Sequence, residues 1–177
     1  SVAYLSDGTQ VAANVPRFEQ GKFGKAILIE ERTENLIQDP LFESLWTSWG
    51  SWDYSTITTE QVDFNGATVV ALRLAKKASG TTNAIYQRIA TITGQDHTLS
   101  FYAKKTTPGS GRIRAYINNY RAFDITGEEW TRIELTQTCS SNEIIHITQS
   151  ETDYDIYVVF PQLEAKPYAT SFIDGTR

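Results

Sequence analysis

Tyrosine and arginine residues alternate with apolar residues in several short stretches of this chain. Neighbouring side chains of a β-strand point to opposite faces, so an alternating stretch divides into two sets. The residues that fall opposite the apolar sets are Tyr86, Arg88, Tyr102, Arg114, Tyr116 and Asn118, to which His146 can be added. If their strands are neighbours in one sheet, these side chains share its outer face.

A face of this composition is suited to binding sugars. The C–H patches of a pyranose ring pack against aromatic faces, while sugar hydroxyls prefer planar or multi-armed partners such as arginine and asparagine. Ligand-binding clefts usually combine such an aromatic lining with a few well-placed polar groups. The pattern therefore predicts a carbohydrate-binding cleft lined by these residues. The alternative is that they are ordinary amphipathic residues covering a solvated sheet.

A second concentration of aromatic residues lies upstream. Trp46, Trp49 and Trp52 recur at a spacing of three residues. Since too few residues separate them, one strand cannot place all of these indoles in a core. We therefore expect Trp46 and Trp52 to rim the cleft, where an indole would stack on a sugar ring.

The ionisable residues do not indicate catalysis. Glycoside hydrolysis needs two carboxylates that face each other across about 5–9.5 Å, and the carboxylates here are scattered over predicted edges and loops. The histidines, His97 and His146, lie far apart and show neither metal-ligand spacing nor a nucleophile elbow. We predict that the chain is not an enzyme and binds no zinc. A polysaccharide-degrading enzyme would instead require paired carboxylates in the cleft.

Composition narrows the class of protein. A chain of 177 residues with 40% hydrophobic residues is long enough for one well-buried core, which favours one domain. A net charge of -5 without a long basic run argues against a nucleic-acid partner. No apolar stretch reaches the ~20 residues needed to cross a bilayer, so no membrane insertion is expected. The single cysteine, Cys139, cannot close a disulfide within the chain and is expected to pack as a small strand residue.

Short runs rich in β-branched and aromatic residues recur between turn signals, and helical periodicity is nearly absent. This layout is typical of a sandwich or barrel made of strands. The predicted strands cover residues 26–30, 68–75, 84–91, 98–104, 111–118, 132–138, 144–149 and 155–163. The predicted fold is therefore all-β, a β-sandwich jelly roll.

Two stretches near the ends carry a family resemblance. Residues 35–43 read NLIQDPLFE and residues 157–173 read YVVFPQLEAKPYATSFI. They resemble the first and last strands of β-sandwich carbohydrate-binding modules of the family 4/9 and 22 type, especially those of phage tail-associated proteins. Residues 85–88 (IYQR), 94–104 (GQDHTLSFYAK) and 129–132 (EWTR) are similar to further stretches of that family. The resemblance spans about residues 35–173 and implies a galactose-binding-like jelly roll.

The resemblance also implies roles for particular residues. In the resembled modules the concave face of one sheet is the usual glycan cleft, and residues like Trp49 and Trp130 pack as structural side chains. Many of these modules hold a structural calcium ion between a first-strand Glu, loop carbonyls and a last-strand Asp. Glu43 matches that Glu, whereas Val159 and Phe160 occupy the region of the Asp. Because calcium prefers six to eight oxygen ligands, we expect no strong site and retain Glu43 as the one side-chain candidate.

A second resemblance concerns the first residues of the chain. Residues 14–18 (NVPRF) and 24–36 (GKAILIEERTENL) are similar to a leader that precedes such modules in phage and prophage structural proteins. We therefore expect residues 1–34 to form an N-terminal arm that ends in one apolar strand, and residues 35–177 to form the module. The resemblance implies a place in the virion, on a phage tail, or otherwise at an extracellular surface.

These observations together predict a non-catalytic carbohydrate-binding module that attaches a phage tail protein to a bacterial surface polysaccharide. The alternative is a structural or assembly module that contacts other tail subunits, or forms a homo-oligomer, without a glycan ligand. Both remain open because the shared motifs are mostly structural and a fold does not establish a function.

Overall fold

In a computed structural model of the chain, the described residues are 2–4, 10–12, 18–21, 24–27, 34–42, 57–75, 83–106, 110–126, 128–140, 143–149 and 155–172. Within them every regular element is a β-strand. The strands are β1 (Val2–Tyr4), β2 (Gln10–Ala12), β3 (Phe18–Gly21), β4 (Gly24–Ile27), β5 (Ile57–Phe64), β6 (Ala67–Leu74), β7 (Asn83–Ile89), β8 (Asp96–Lys105), β9 (Ser110–Ile117), β10 (Asn119–Thr126), β11 (Thr131–Thr138), β12 (Glu143–Gln149) and β13 (Ile156–Glu164). The all-β prediction is confirmed.

Two antiparallel sheets form the body of the fold. One has five strands in the order β11-β8-β13-β6-β5, and the other has four strands in the order β10-β9-β12-β7. Strands β7, β8 and β9 follow one another along the chain but alternate between the two sheets. This crossing between sheets is the arrangement of a jelly-roll sandwich. Strands β1 with β2, and β3 with β4, form separate two-stranded antiparallel pairs.

The main hydrophobic core lies between the two large sheets. Its buried members include Ile85, Ile113, Ile117, Ile145 and Ile147 of the four-stranded sheet and Leu99, Phe101 and Leu135 of the five-stranded sheet. Apart from Leu135, these residues are the apolar ones of the predicted strands at 84–91, 98–104, 111–118 and 144–149, where alternation placed them opposite the tyrosine and arginine residues, and their burial confirms that prediction. Cys139 joins the same core, and burial, reinforced by the nearby carboxylates of Glu143 and Asp96, raises the pKa of its thiol to about 11.

A second apolar cluster covers the outer face of the five-stranded sheet. It contains Phe64, Val159, Phe160 and Phe172, with Trp130 packed against it. The register of β13 against β8 shifts between Val159 and Gln162, and Phe160 has a φ of 55°. This bulge redirects the strand locally. The Trp130 indole N–H donates to the carbonyl of Asp63 at 2.9 Å, so the prediction that Trp130 is a packing residue is confirmed.

The two terminal stretches of the family resemblance meet in space. The Asn35 side-chain oxygen accepts hydrogen bonds from the backbone N–H groups of Ile37 and Leu163, both at 3.1 Å. Its amide nitrogen donates to the carbonyl of Pro161 at 3.1 Å, and the Leu36 N–H donates to the carbonyl of Leu163 at 2.8 Å. Asn35 therefore ties the first segment of the module to its last strand.

Downstream, Gln162, Glu164 and Thr170 form a buried polar network, called here the Glu164 cluster. The Glu164 carboxylate accepts hydrogen bonds from the Gln162 amide at 2.7 Å, the Thr170 N–H at 2.8 Å and the Thr170 hydroxyl at 2.7 Å. A buried carboxylate is tolerated only when such donors compensate its lost hydration. The QLE and ATS parts of the stretch at residues 157–173 therefore have a structural role, because they supply the residues of this network.

The sequence prediction of strands differs from the structure in three places. Strand β10 occupies a stretch that was expected to be a connection, and β5 was not predicted. Residues 1–34 contain four short strands among the described residues, whereas one apolar strand was expected. Strands β5 and β10 lie at sheet edges, where half of the residues of β5 and most of those of β10 are exposed, so they carry a weak hydrophobic pattern. The predicted strand at 26–30 extends beyond the described residues.

Candidate functional site

Four rings line up across the outer face of the four-stranded sheet. His146 of β12 is the cross-strand partner of Tyr86 on β7 and of Tyr116 on β9, and Tyr116 is the partner of Tyr120 on β10. Directly opposed residues of antiparallel strands share one face. The ring centroids are 6.0 Å apart for Tyr86 and His146, 4.8 Å for Tyr116 and His146, and 4.6 Å for Tyr116 and Tyr120. We call these four residues the aromatic row.

The aromatic row is open at one end and closed in the middle. His146 is 3% exposed and Tyr120 is 56% exposed, while Tyr86 and Tyr116 are half-buried. The rings of Tyr116 and Tyr120 are tilted by 49°. The β9–β10 end of the row therefore offers adjoining aromatic surface to a ligand.

Polar side chains flank the row. Arg88 follows Tyr86 by two positions on β7, and Arg114 precedes Tyr116 by two positions on β9, so both lie on the outer face and both are exposed. Asn118 is exposed at the tip between β9 and β10, with a φ of 62°, a left-handed conformation that Asn adopts more readily than most residues. Together with the rings, they supply the donors that sugar hydroxyls require.

The chemistry of the row at neutral pH follows from burial. Burial lowers the pKa of His146 to about 4, so the imidazole is neutral near pH 7. Its Nδ1 lies 3.5 Å from the Tyr120 hydroxyl. Burial, and then the neighbouring Tyr116, raise the pKa of Tyr120 against the opposing effect of Arg114. The phenol of Tyr120 therefore stays protonated at neutral pH.

Tyr102 does not belong to this face, which corrects the expectation that it shares a surface with the other site residues. It lies on β8 in the five-stranded sheet. Its ring packs edge-on against Phe64 at 5.0 Å, and the Arg132 guanidinium lies 5.8 Å from its centroid. Alternation identifies the two faces of a strand but not the sheet that the strand joins, and the jelly roll sends β8 to the opposite sheet from β7 and β9.

The structure thus brings together Tyr86, Arg88, Arg114, Tyr116, Asn118 and His146. Sequence reasoning missed Tyr120, because β10 was not predicted. The alternation of Tyr120, Ala122 and Asp124 against Phe123 and Ile125 was the signal that could have found it. Trp46, Trp52, Trp49 and Glu43 lie outside the described residues, so their predicted roles stay predictions.

The implied calcium site lies only partly within the described residues, which include its last-strand positions but not Glu43. None of them form a group of three His, Cys, Asp or Glu side chains placed to hold a metal ion. Val159 and Phe160 are buried in the outer apolar cluster, and the Glu164 carboxylate faces the donors of its own cluster.

Paired carboxylates are likewise absent from the described part of the outer face of the four-stranded sheet. Asp124 on β10 carries the carboxylate there, and the Arg112 guanidinium donates to it at 2.8 Å. The described part of the chain also contains no helix suited to spanning a bilayer.

Known structures share this fold. A structure of a "putative sugar binding protein" from Bacteroides thetaiotaomicron matches with a TM-score of 0.57 and 13% identity over 75% of this chain and 100% of its own. The CBM22-1 xylan-binding domain of Paenibacillus barcinonensis Xyn10C matches with a TM-score of 0.52 and 10% identity over 77% and 94% of the two chains. At these identities the similarity establishes the fold.

A phage protein shares the fold as well. The enzymatically active domain of bacteriophage CBA120 tailspike protein 4 matches with a TM-score of 0.51 and 17% identity, over 73% of this chain and 21% of the tailspike chain. No family model matches the sequence, and no curated protein matches it. The fold is therefore that of the β-sandwich carbohydrate-binding modules, and the resemblance seen in the sequence is confirmed at this level.

Proposed function

We propose that this domain is a non-catalytic carbohydrate-binding module that binds glycans on the outer face of its four-stranded sheet. The observation that carries the proposal is the aromatic row, in which Tyr116 and Tyr120 adjoin at 4.6 Å and the second ring is exposed. Sugar C–H faces would stack on these rings, while Arg114 and Asn118 would donate to hydroxyls. The fold shared with sugar-binding proteins supports this use of the face.

The biological setting is a further part of the proposal. The leader-like residues before the module and the tailspike that shares its fold both favour a phage tail component. In this role the module sits in the virion and attaches its parent protein to a bacterial surface polysaccharide, with other tail subunits as additional partners.

The proposed site can be tested by alanine substitution in the row. After a glycan array has identified a bound polysaccharide, titration calorimetry should show that Tyr120→Ala and Tyr116→Ala each weaken binding by roughly fivefold, equivalent to about 1 kcal/mol of lost stacking. Tyr168→Ala is the matched control, because Tyr168 is exposed but lies outside the row beside Lys166. Equal affinities for all four proteins, or no binding on the array, would contradict the proposal.

A second candidate function is assembly, in which the same face contacts a neighbouring subunit. The observation that favours it is the exposure of the Tyr120 ring, at 56%, because an exposed tyrosine on a sheet face is also typical of protein–protein interfaces. Light scattering tests this function: a stable oligomer that is dissociated by Tyr120→Arg, combined with an array without bound glycans, would favour assembly.

A further inference from the structure

The outer face of the four-stranded sheet differs in charge from the chain as a whole. The sequence has a formal net charge of -5. The described residues of this face carry three guanidinium groups, from Arg88, Arg112 and Arg114, against the one carboxylate of Asp124. An acidic protein thus presents a locally basic surface around its aromatic row.

Two of these guanidinium groups are exposed and unpaired among the residues that the structure describes. Arg112 is paired with Asp124 at 2.8 Å. The side chains of Arg88 and Arg114 form no ion pair or hydrogen bond with the residues that the structure describes, and both are exposed. One exposed arginine of this kind would carry little meaning, since such residues are common on protein surfaces. Two such arginines beside the aromatic row instead indicate a binding site for negatively charged groups.

The two arginines lie on opposite sides of the row. Arg88 is in register with Ile144 of β12, and Arg114 is in register with Thr148 of the same strand. Four residues of strand span about 13 Å, and β7 and β9 are about 10 Å apart because one strand lies between them. A single sugar ring stacked on the row cannot reach both groups, whereas an oligosaccharide that crosses the row can.

We propose that the glycan bound by this face is acidic, with carboxylate, sulfate or phosphate groups on more than one sugar unit that pair with Arg88 and Arg114. This inference rests on the function proposed above and specifies its ligand class. The guanidinium fork matches planar and tetrahedral anions with two parallel hydrogen bonds. A neutral chain would use the same rings but would leave both cations without their counterparts.

The test compares acidic oligosaccharides with neutralised forms of the same chains. Oligogalacturonides and hyaluronan oligomers are titrated against the whole chain beside their methyl-esterified or carboxyl-reduced forms, and neutral xylan and galactan oligomers complete the set. We expect the acidic member of at least one pair to bind about tenfold more tightly at low salt, from two ion pairs at exposed positions. This preference should shrink as sodium chloride is raised from about 20 to 200 mM, because exposed charge pairs are screened.

Variants link the preference to the two arginines. Arg88→Gln and Arg114→Gln should each remove part of the preference, and the double variant should bind the acidic and esterified forms equally. Arg121→Gln makes the same charge change on β10 but on the opposite side of the strand, where the guanidinium lies 5.3 Å from the Phe123 ring. This control variant should keep the preference.

The possible results distinguish failure of the acidic-ligand proposal from failure of the glycan-binding proposal. Equal or tighter binding of the neutral forms, with Arg88→Gln and Arg114→Gln unchanged, would overturn the acidic ligand while preserving a glycan-binding face. Binding of no glycan in either class would overturn both proposals. Tighter binding of an oligothymidylate than of any acidic glycan would overturn the assignment to glycans, because single-stranded nucleic acids also use stacked aromatic rings with basic groups.

Discussion

His146 lies at the centre of the aromatic row, and its burial couples the stability of the fold to pH. Its pKa in the folded protein is about 4 against an ordinary value of 6.5, so the unfolded chain binds more protons between these values. The contribution of His146 to the free energy of unfolding should therefore be constant above about pH 6.5 and decrease as the pH approaches 4. The loss amounts to about 1.4 kcal/mol for each unit of difference between the two pKa values. Urea denaturation measured across this pH range should show this loss.

The matched variant is His146→Gln, which keeps a polar side chain of similar reach but does not titrate. Both proteins contain the same carboxylates, so a difference between their curves comes from residue 146. Because glutamine does not titrate, the free energy of unfolding of the variant should fall less steeply than that of the wild type between pH 6.5 and 4. The comparison concerns the slopes, so a constant destabilisation by the substitution does not affect it. Parallel curves would show that His146 is not held neutral by the fold.

At the scale of elements, the Glu164 cluster anchors the last strand to the segment that follows it. Replacement of Glu164 by Gln keeps the shape but aims an NH2 group at donors, since the carboxylate accepts from Gln162 and from the Thr170 N–H and hydroxyl. We expect a loss of about 2–4 kcal/mol in the free energy of unfolding, as for a buried group left without its partners. Glu134→Gln is the control, because this exposed carboxylate pairs with Arg132 at the surface and should change stability by less than about 1 kcal/mol. Equal losses for the two variants would show that the Glu164 cluster stabilises the fold no more than a surface ion pair does.

A strand could be predicted from the sequence when one of its faces is buried, because burial makes apolar and polar residues alternate. Strands β8, β9 and β12 alternate strongly because one side faces the core, and their apolar residues were predicted correctly. Edge strand β10 presents exposed residues on both sides, so its alternation of apolar and polar residues is weak. The strand was not predicted, and Tyr120 was therefore not recognised as a site residue. Tyr102 was assigned to the wrong sheet because the pairing of strands depends on long-range topology, which a local period does not encode.

At the scale of the whole molecule, a single face with a few exposed rings should bind weakly, because the ordering of a flexible glycan offsets much of each contact. Asn35 joins the first segment of the predicted module to its last strand, and we propose that the module is displayed in several copies. Fusion of the chain to a trimeric coiled coil should therefore raise the apparent affinity for a densely immobilised glycan by about a hundredfold or more over the monomer. Surface plasmon resonance at high and low glycan density measures this gain, which should disappear at low density and in a Tyr120→Ala trimer. If trimer and monomer bind a dense surface equally, the module does not act through multivalent attachment, and its affinity must reside in one site.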